Sequence, residues 1–181
     1  MKRLTLLRHA KSGWDDPVAR DFDRPLNPRG FKGARLMGRH MRDLGLRYDL
    51  VIASPALRVV ETLDGLWEGY GRSLHVELDK RIYLASAATL LDVVQEAPDD
   101  ADALLLSGHN PGMEDLVLLL VPDRPDDAAR DQVEEKFPTA ALAEIHIDVD
   151  HWADVKAGSG MLARFIRPRD LDPALGPEAR R

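Results

Sequence analysis

The stretch LLRHAKSG, residues 6–13, continues the apolar start made by Leu4 and then sets an arginine beside a histidine. A short apolar block of this kind reads as a strand covered on both faces, where an unpartnered Arg8 or His9 would be costly. The pair is therefore expected just past the end of the strand. Two further blocks repeat the design, Leu50-Val51-Ile52-Ala53 and Ala103-Leu104-Leu105-Leu106. Each gives way to a polar turn and then to a helical pattern. That βα rhythm predicts a three-layer α/β/α architecture around a mostly parallel central sheet.

The segments after the blocks are the informative ones. After the first comes an aspartate-rich loop to Pro25, and then Asn27-Pro28, a good N-cap and N1 pair for a helix whose apolar face is Phe31, Ala34, Met37, Met41 and Leu44. After the second, Ser54 is expected to cap, and Pro55 to open, a helix reaching about Tyr70, with Arg58 in its first turn. After the third, the turn Ser107-Gly108-His109-Asn110-Pro111-Gly112 leads into an apolar helix over 113–121. Between these lie an expected strand over 74–78 and helix over 85–97. Residues 121–138 read as an acidic loop with room for one short surface helix. From Leu142 the alternation is strict, with Ala143, Ile145, Ile147 and Val149 on one face and Glu144, His146 and Asp148 on the other. A partner strand over 161–166 would close the sheet with an antiparallel pair. Residues 1–169 are expected to form one catalytic domain, and 170–181 a tail. From Pro168 onward, proline and charge predict poor packing and fraying.

The 181 residues, 44% hydrophobic and 31% charged, suffice for one sizeable core. There is no cysteine, which removes disulfides, thiolate zinc sites and cysteine nucleophiles and suits a reducing compartment. No stretch approaches the roughly 18 apolar residues of a membrane span, so a cytoplasmic location is expected and no membrane partner. The formal charge of −6 disfavours a nucleic-acid partner. An anionic ligand must be met by a local positive cluster.

Such a cluster is available. In open α/β sheets, ligands bind at the carboxyl ends of the strands, and Arg8, His9, Arg58 and His109 all fall just beyond the ends of the three blocks. Two arginines and two histidines around one point repel each other and are expensive to desolvate. They suit a tetrahedral dianion, because guanidinium forks match phosphate oxygens and a helix N-terminus adds backbone donors. The expected ligand is a phosphoryl group.

Leu7-Arg8-His9-Ala10, Arg24-Pro25-Leu26-Asn27 with Gly30, Ser54-Pro55-Ala56-Leu57-Arg58 with Glu61-Thr62, and Gly108-His109-Asn110-Pro111 resemble the histidine phosphatase superfamily, with its phosphoglycerate mutase-like fold. The short chain, the Arg-His-Ala-Lys-Ser opening and Lys136-Phe137-Pro138-Thr139 resemble SixA-type phosphohistidine phosphatases most. The resemblance implies a catalytic set of His9, Arg8, Arg58 and His109. One ring nitrogen of neutral His9 would attack phosphorus while the other donates its proton to a nearby carbonyl. Arg8, Arg58 and His109 would hold the equatorial oxygens. This scheme requires no metal or other cofactor.

Ser12, Lys11, Arg24 and Asn110 are expected around the substrate. For Lys11 and Ser12 a solvated loop is an equal alternative, for Arg24 an ion pair with a loop aspartate is favoured, and Asn110 could lend a backbone donor or simply tolerate the turn before Pro111. Asp148, Asp150 and His151 fit a polar strand face running into a turn better than a metal site.

Many relatives carry a glutamate that protonates the leaving oxygen, and the comparable stretch here, Leu78-Asp79-Lys80-Arg81-Ile82-Tyr83, has none. An alkoxide needs that proton, whereas an imidazole protonated on its distant nitrogen leaves as a neutral molecule. The substrate is thus tilted toward phosphohistidine or another phosphoramidate. Because the segments 78–103 and 121–138 leave little material for a lid, an open site could admit it on a phosphorylated protein such as a histidine phosphorelay domain. Asp16, Asp21, Asp23 or Asp79 could still serve as acid, which keeps a small phosphomonoester open as substrate. A non-catalytic phosphate-binding module is the third reading.

Overall fold

The computed structural model describes residues 1–13 and 20–177. Three parallel strands come directly from the three apolar blocks: β1 (Lys2–Arg8), β2 (Leu50–Ala53) and β4 (Ala103–Gly108), with a short edge strand β3 (Val76–Leu78). β5 (Leu142–Ile147) and β6 (Gly160–Ile166) complete a six-stranded sheet in the order β3-β2-β4-β1-β5-β6. β3, β2, β4 and β1 run parallel, and β5 and β6 are antiparallel, as the clean alternation after Leu142 predicts.

Alternate residues of the central strands enter opposite layers. Leu4, Leu6, Leu104 and Leu106 pack under α3 (Ala87–Gln95) and α4 (Gly112–Leu120), while Leu7, Val51 and Leu105 pack under α1 (Pro28–Asp43) and α2 (Leu57–Tyr70). Each of these fully buried leucines contributes about 2 kcal/mol of transfer free energy, so the central strands alone anchor both layers. α1 and α2 press backbone against backbone: a Cβ on Gly69 would lie 1.9 Å from the Arg35 carbonyl oxygen. α5 (Ala128–Glu135) is the short helix expected within 121–138, and Val133 seals it to the core. Among the described residues, no helix is long and apolar enough to cross a membrane.

Four expectations need correction. Arg8 is the last residue of β1 rather than the first beyond it, paired across to Gly108. It tolerates that place because the strand end is where the sheet opens. Ser54 does not cap α2, which begins at Leu57 after Ala56. Leu44 lies at the C-cap of α1 and is exposed. The tail does not fray at Pro168: α6 (Pro168–Leu171) and the 3-10 turn after it lie along α1, where Arg29 donates to the Gly176 carbonyl at 2.5 Å and Lys32 pairs with Asp172 at 3.3 Å. Proline-rich composition proved a poor guide because cations on α1 supply the partners.

Candidate active site

β2, β4 and β1 are sheet neighbours, so their carboxyl ends open side by side. His9 continues the ladder, its amide donating to the Gly108 carbonyl at 3.0 Å, and the Ser54 amide donates to Ser107 at 3.1 Å. These bonds bring His9, Arg58 and His109 into contact range. The His9 and His109 rings stand 5.4 Å apart between centroids, and Arg58 Nη2 lies 3.3 Å from His109 Nδ1. His9, Arg58 and His109 are all buried.

Each ring has an assigned tautomer. His9 Nδ1 donates to the Ala10 carbonyl at 2.7 Å, which leaves Nε2 with the free lone pair. A guanidinium can only donate, so His109 Nδ1 accepts from Arg58, and His109 Nε2 carries the proton that reaches Ser54 Oγ at 2.8 Å. Burial lowers the pKa of His9 to about 4, helped by the charges of Arg8, Arg58 and Arg24 and opposed by the Ala10 carbonyl. Burial, then Arg58 and His9, lower His109 to about 3. Both rings are neutral at pH 7.

The site holds an internal anion. The carbonyl of Asp21 accepts from Arg58 Nη1 at 2.7 Å, and its carboxylate accepts from Arg58 Nη2 and Arg24 Nε, each at 3.1 Å. The Tyr83 hydroxyl donates to the same carboxylate. Desolvation pushes the Asp21 pKa up, but Tyr83, Arg58 and Arg24 outweigh it and hold the carboxyl at about 2. The other candidate acids are elsewhere: Asp23 pairs with Arg20 on the surface, Asp79 with Arg81, and Asp16 lies outside the described residues.

The remaining residues divide between contact and support. Arg24 pairs with Asp21, the loop ion pair favoured from sequence, and donates to Ser12 Oγ at 2.9 Å, which places Ser12 beside the cluster. Lys11 is exposed, while its carbonyl sits so close to α1 that a Cβ on Gly30 would meet it at 2.1 Å. Asn110 does not aim its amide at the cluster. It donates to the Phe137 carbonyl at 2.9 Å and accepts from the Glu114 amide, and Arg8 Nη1 donates to the same carbonyl at 3.0 Å. Asn110 thereby fixes the acceptor that holds Arg8. Among the described residues, no three His, Asp or Glu side chains converge to hold a metal.

A family profile described as histidine phosphatase superfamily (branch 1) matches residues 4–83. An uncharacterised protein of Mycobacterium tuberculosis (strain ATCC 25618 / H37Rv) is 35% identical over 164 residues, covering 90% of this chain and all of that protein. The chain belongs to the histidine phosphatase superfamily. Two solved structures, both assigned as phosphohistidine phosphatase SixA, are each 28% identical to it. The Agrobacterium tumefaciens one has a TM-score of 0.77 over 92% of this chain and 98% of that one. The Nakamurella one has a TM-score of 0.80 over 92% of this chain and 96% of that one. The protein is therefore a phosphatase with SixA-like relatives and a phosphoglycerate mutase-like fold.

Four supporting groups of this histidine phosphatase escape sequence reasoning. Thr62 Oγ1 accepts from the Ala10 amide at 2.8 Å and donates to the Arg58 carbonyl at 2.6 Å, which ties the His9 segment to α2. Ser54 orients His109, Tyr83 braces Asp21, and the Phe137 carbonyl anchors Arg8. Thr62 stands in the Glu61-Thr62 pair, but nothing in a one-dimensional pattern says that its hydroxyl reaches Ala10, 52 positions away.

Proposed function

We propose that this phosphatase hydrolyses phosphohistidine on a protein, with His9 as the nucleophile and Arg8, Arg58 and His109 as the cradle for the transferring group. In the first step His9 Nε2 forms a bond to phosphorus as the P–N bond to the substrate's imidazole breaks, and that imidazole leaves with its distant nitrogen protonated. In the second, water attacks phosphorus, the bond to Nε2 breaks, and inorganic phosphate leaves. The Nδ1–H to Ala10 bond supports this role because it keeps the lone pair on Nε2, and the lowered pKa keeps the ring neutral.

The observation that carries the choice of substrate is the state of Asp21. It is the candidate acid at the cluster among the described residues, and at a pKa of about 2 it has no proton to give at neutral pH. A phosphoramidate can do without it, and an alkoxide-releasing ester cannot do so cheaply. One observation favours a second reading, hydrolysis of a small phosphomonoester: Asp21 touches Arg58, so a bound phosphate that draws Arg58 away would raise its pKa.

The deciding experiment measures kcat/KM on a phosphohistidine-bearing protein beside a panel of phosphomonoesters, with EDTA throughout and His9→Ala as control. Preference for the phosphoprotein, an alkali-stable and acid-labile phosphoenzyme, and a loss on the order of 10³-fold in the variant are expected. Preference for an ester would move the role of acid to Asp21. Tight phosphate binding without turnover would make the chain a binding module.

A further inference from the structure

Beside the catalytic cluster lies a cleft of about 350 Å³ between the N-terminus of α1, the segment before β5 and the C-terminal tail. Arg8, Lys11, Arg29, Lys136, Arg167 and Arg169 line it, and no acidic side chain does among the described residues. Its floor is apolar and small, including Ala10, Pro138 and Ala140. Arg8 and Lys11 come from the His9 segment, so the cleft opens off the same strand end that carries the nucleophile.

Six cations on four separate stretches of chain are not a solvated helix face. Asp170 answers Arg167 at 2.8 Å, but Arg8, Lys11, Arg29, Lys136 and Arg169 have no carboxylate within ion-pair distance among the described residues. Glu114 acts on Arg8 only from a distance, raising its pKa against the larger effect of burial. The Nε atoms of Arg8 and Arg169 are buried without a hydrogen-bond partner among the described residues. Such a gathering is repulsive when empty, and it is local, in a chain whose net charge is −6.

We infer that the cleft seats an acidic segment of the phosphorylated polypeptide, next to the phosphohistidine that reaches His9. The inference rests on the proposed substrate class and goes further by stating what flanks the phosphorylated residue. A protein-borne phosphohistidine can reach His9 only if the chain on either side of it lies across the surface at the strand ends. There the cleft is the cationic recess; with Arg8 serving the transferring phosphate, carboxylates on that chain supply the anions that Lys11, Arg29, Lys136 and Arg169 lack. Glutamate or aspartate within a few residues of the phosphohistidine then sets affinity, and the catalytic cluster sets turnover.

The test is fluorescence anisotropy at low salt with a fluorescein-labelled, unphosphorylated octapeptide bearing four glutamates, beside its glutamine counterpart. Lys136→Glu with Arg169→Glu reverses charge in the cleft. Arg42→Glu with Arg72→Glu reverses the same charge at a separate basic pocket. The glutamate peptide is expected to bind, to lose at least tenfold with the cleft reversal and less than twofold with the remote one, while the glutamine peptide stays weak throughout. Equal loss from both reversals, or equal binding of both peptides, would overturn the inference. In a second arm, KM for phosphohistidine peptides should fall when the flanks are acidic, and the cleft reversal should abolish the difference. If KM instead follows a second anionic group on small esters and ignores peptide flanks, the cleft is a small-molecule subsite and the inference is wrong. No phosphohistidine turnover, with glutamate-specific binding intact, would remove the proposed substrate and leave the cleft as an acidic-peptide site.

Discussion

Asp21 accepts from both terminal nitrogens of Arg58, at 2.7 Å through its carbonyl and at 3.1 Å through its carboxylate, so a carboxylate already occupies the buried arginine that is proposed to bind phosphate. Incoming phosphate must share or displace that contact. Asp21→Asn keeps the carbonyl and an amide oxygen but removes the competing charge. Inhibition by inorganic phosphate or tungstate should tighten severalfold at low ionic strength, with kcat on phosphohistidine within about threefold of wild type. A hundredfold drop in kcat would identify Asp21 as a participant in the chemistry. A drop confined to esters would favour the second functional reading.

The Thr62 hydroxyl is a second lock. Thr62→Val keeps the shape but leaves the Ala10 amide without its acceptor in a buried place, a cost of about 1–3 kcal/mol. The urea midpoint should fall accordingly. Because Ala10 also carries the carbonyl that fixes the His9 tautomer, kcat should fall as well. Thr62→Ser, which restores the hydroxyl, should recover most of both, and failure to do so would point to packing rather than hydrogen bonding.

These two residues mark the limit of what is legible in the sequence. The strands are legible because burial on both faces leaves an uninterrupted apolar block, and α1 because Asn27 caps it through its side chain to the Gly30 amide, as the Asn-Pro pair suggests. The placement of the proposed quartet is legible by the same logic: Arg8 ends β1, and His9, Arg58 and His109 follow strand ends and lie within contact range of one another. Ser54 misleads: the pattern of a cap is also the pattern of a hydroxyl needed elsewhere, and here it orients His109. The Asn110 side chain fixes Arg8 through a carbonyl 27 residues away, a contact that the turn motif does not announce. The role of Asp21 depends on three partners far apart in the chain. Periodicity reports which face a residue takes, and it carries no information on which distant polar atom that residue meets.

Acid should destabilise the fold through the two buried rings. The folded-state pKa values of His9 and His109, about 4 and about 3, lie below the unfolded value of 6.5. Between those limits the unfolded chain binds more protons, so stability is full above pH 6.5 and falls as pH drops through the window. The effect is on the order of 3 kcal/mol per ring by pH 4. Urea titrations at pH 7 and pH 4.5 on wild type and His9→Asn should show a clearly smaller loss in the variant. The exposed His151, raised by Asp99, has the opposite sign and acts above pH 6.5, and it cancels in that comparison.

The acidic limb of the rate profile depends on the same ring. If His9 is the nucleophile as proposed, it must be neutral to attack, so kcat/KM on an acid-stable aryl phosphate should hold down to about pH 5, once the substrate's own ionisation is divided out. The limb should then break near pH 4 rather than at the 6.5 of a free imidazole. A break at 6.5 would mean that the nucleophile is solvated in the working enzyme.

His109 should couple anion binding to a proton. In the free site its Nδ1 faces Arg58 as an acceptor, an arrangement that offers an anion a lone pair instead of a donor. A dianion drawn in by Arg8 and Arg58 reverses the electrostatics that now hold the ring near a pKa of 3, because burial then acts against a charge that has a partner. Binding should therefore be accompanied by proton uptake on Nδ1, with Nε2 still donating to Ser54. Sulfate is the clean probe, since it stays a dianion across the range. Calorimetric titration at pH 6 in two buffers of different ionisation enthalpy should show uptake of a fraction of a proton per sulfate, growing as pH falls. His109→Asn should abolish it while sulfate still binds, more weakly. If wild type takes up none, His109 contacts the anion as a neutral ring, and the burden of charge falls on the arginines alone.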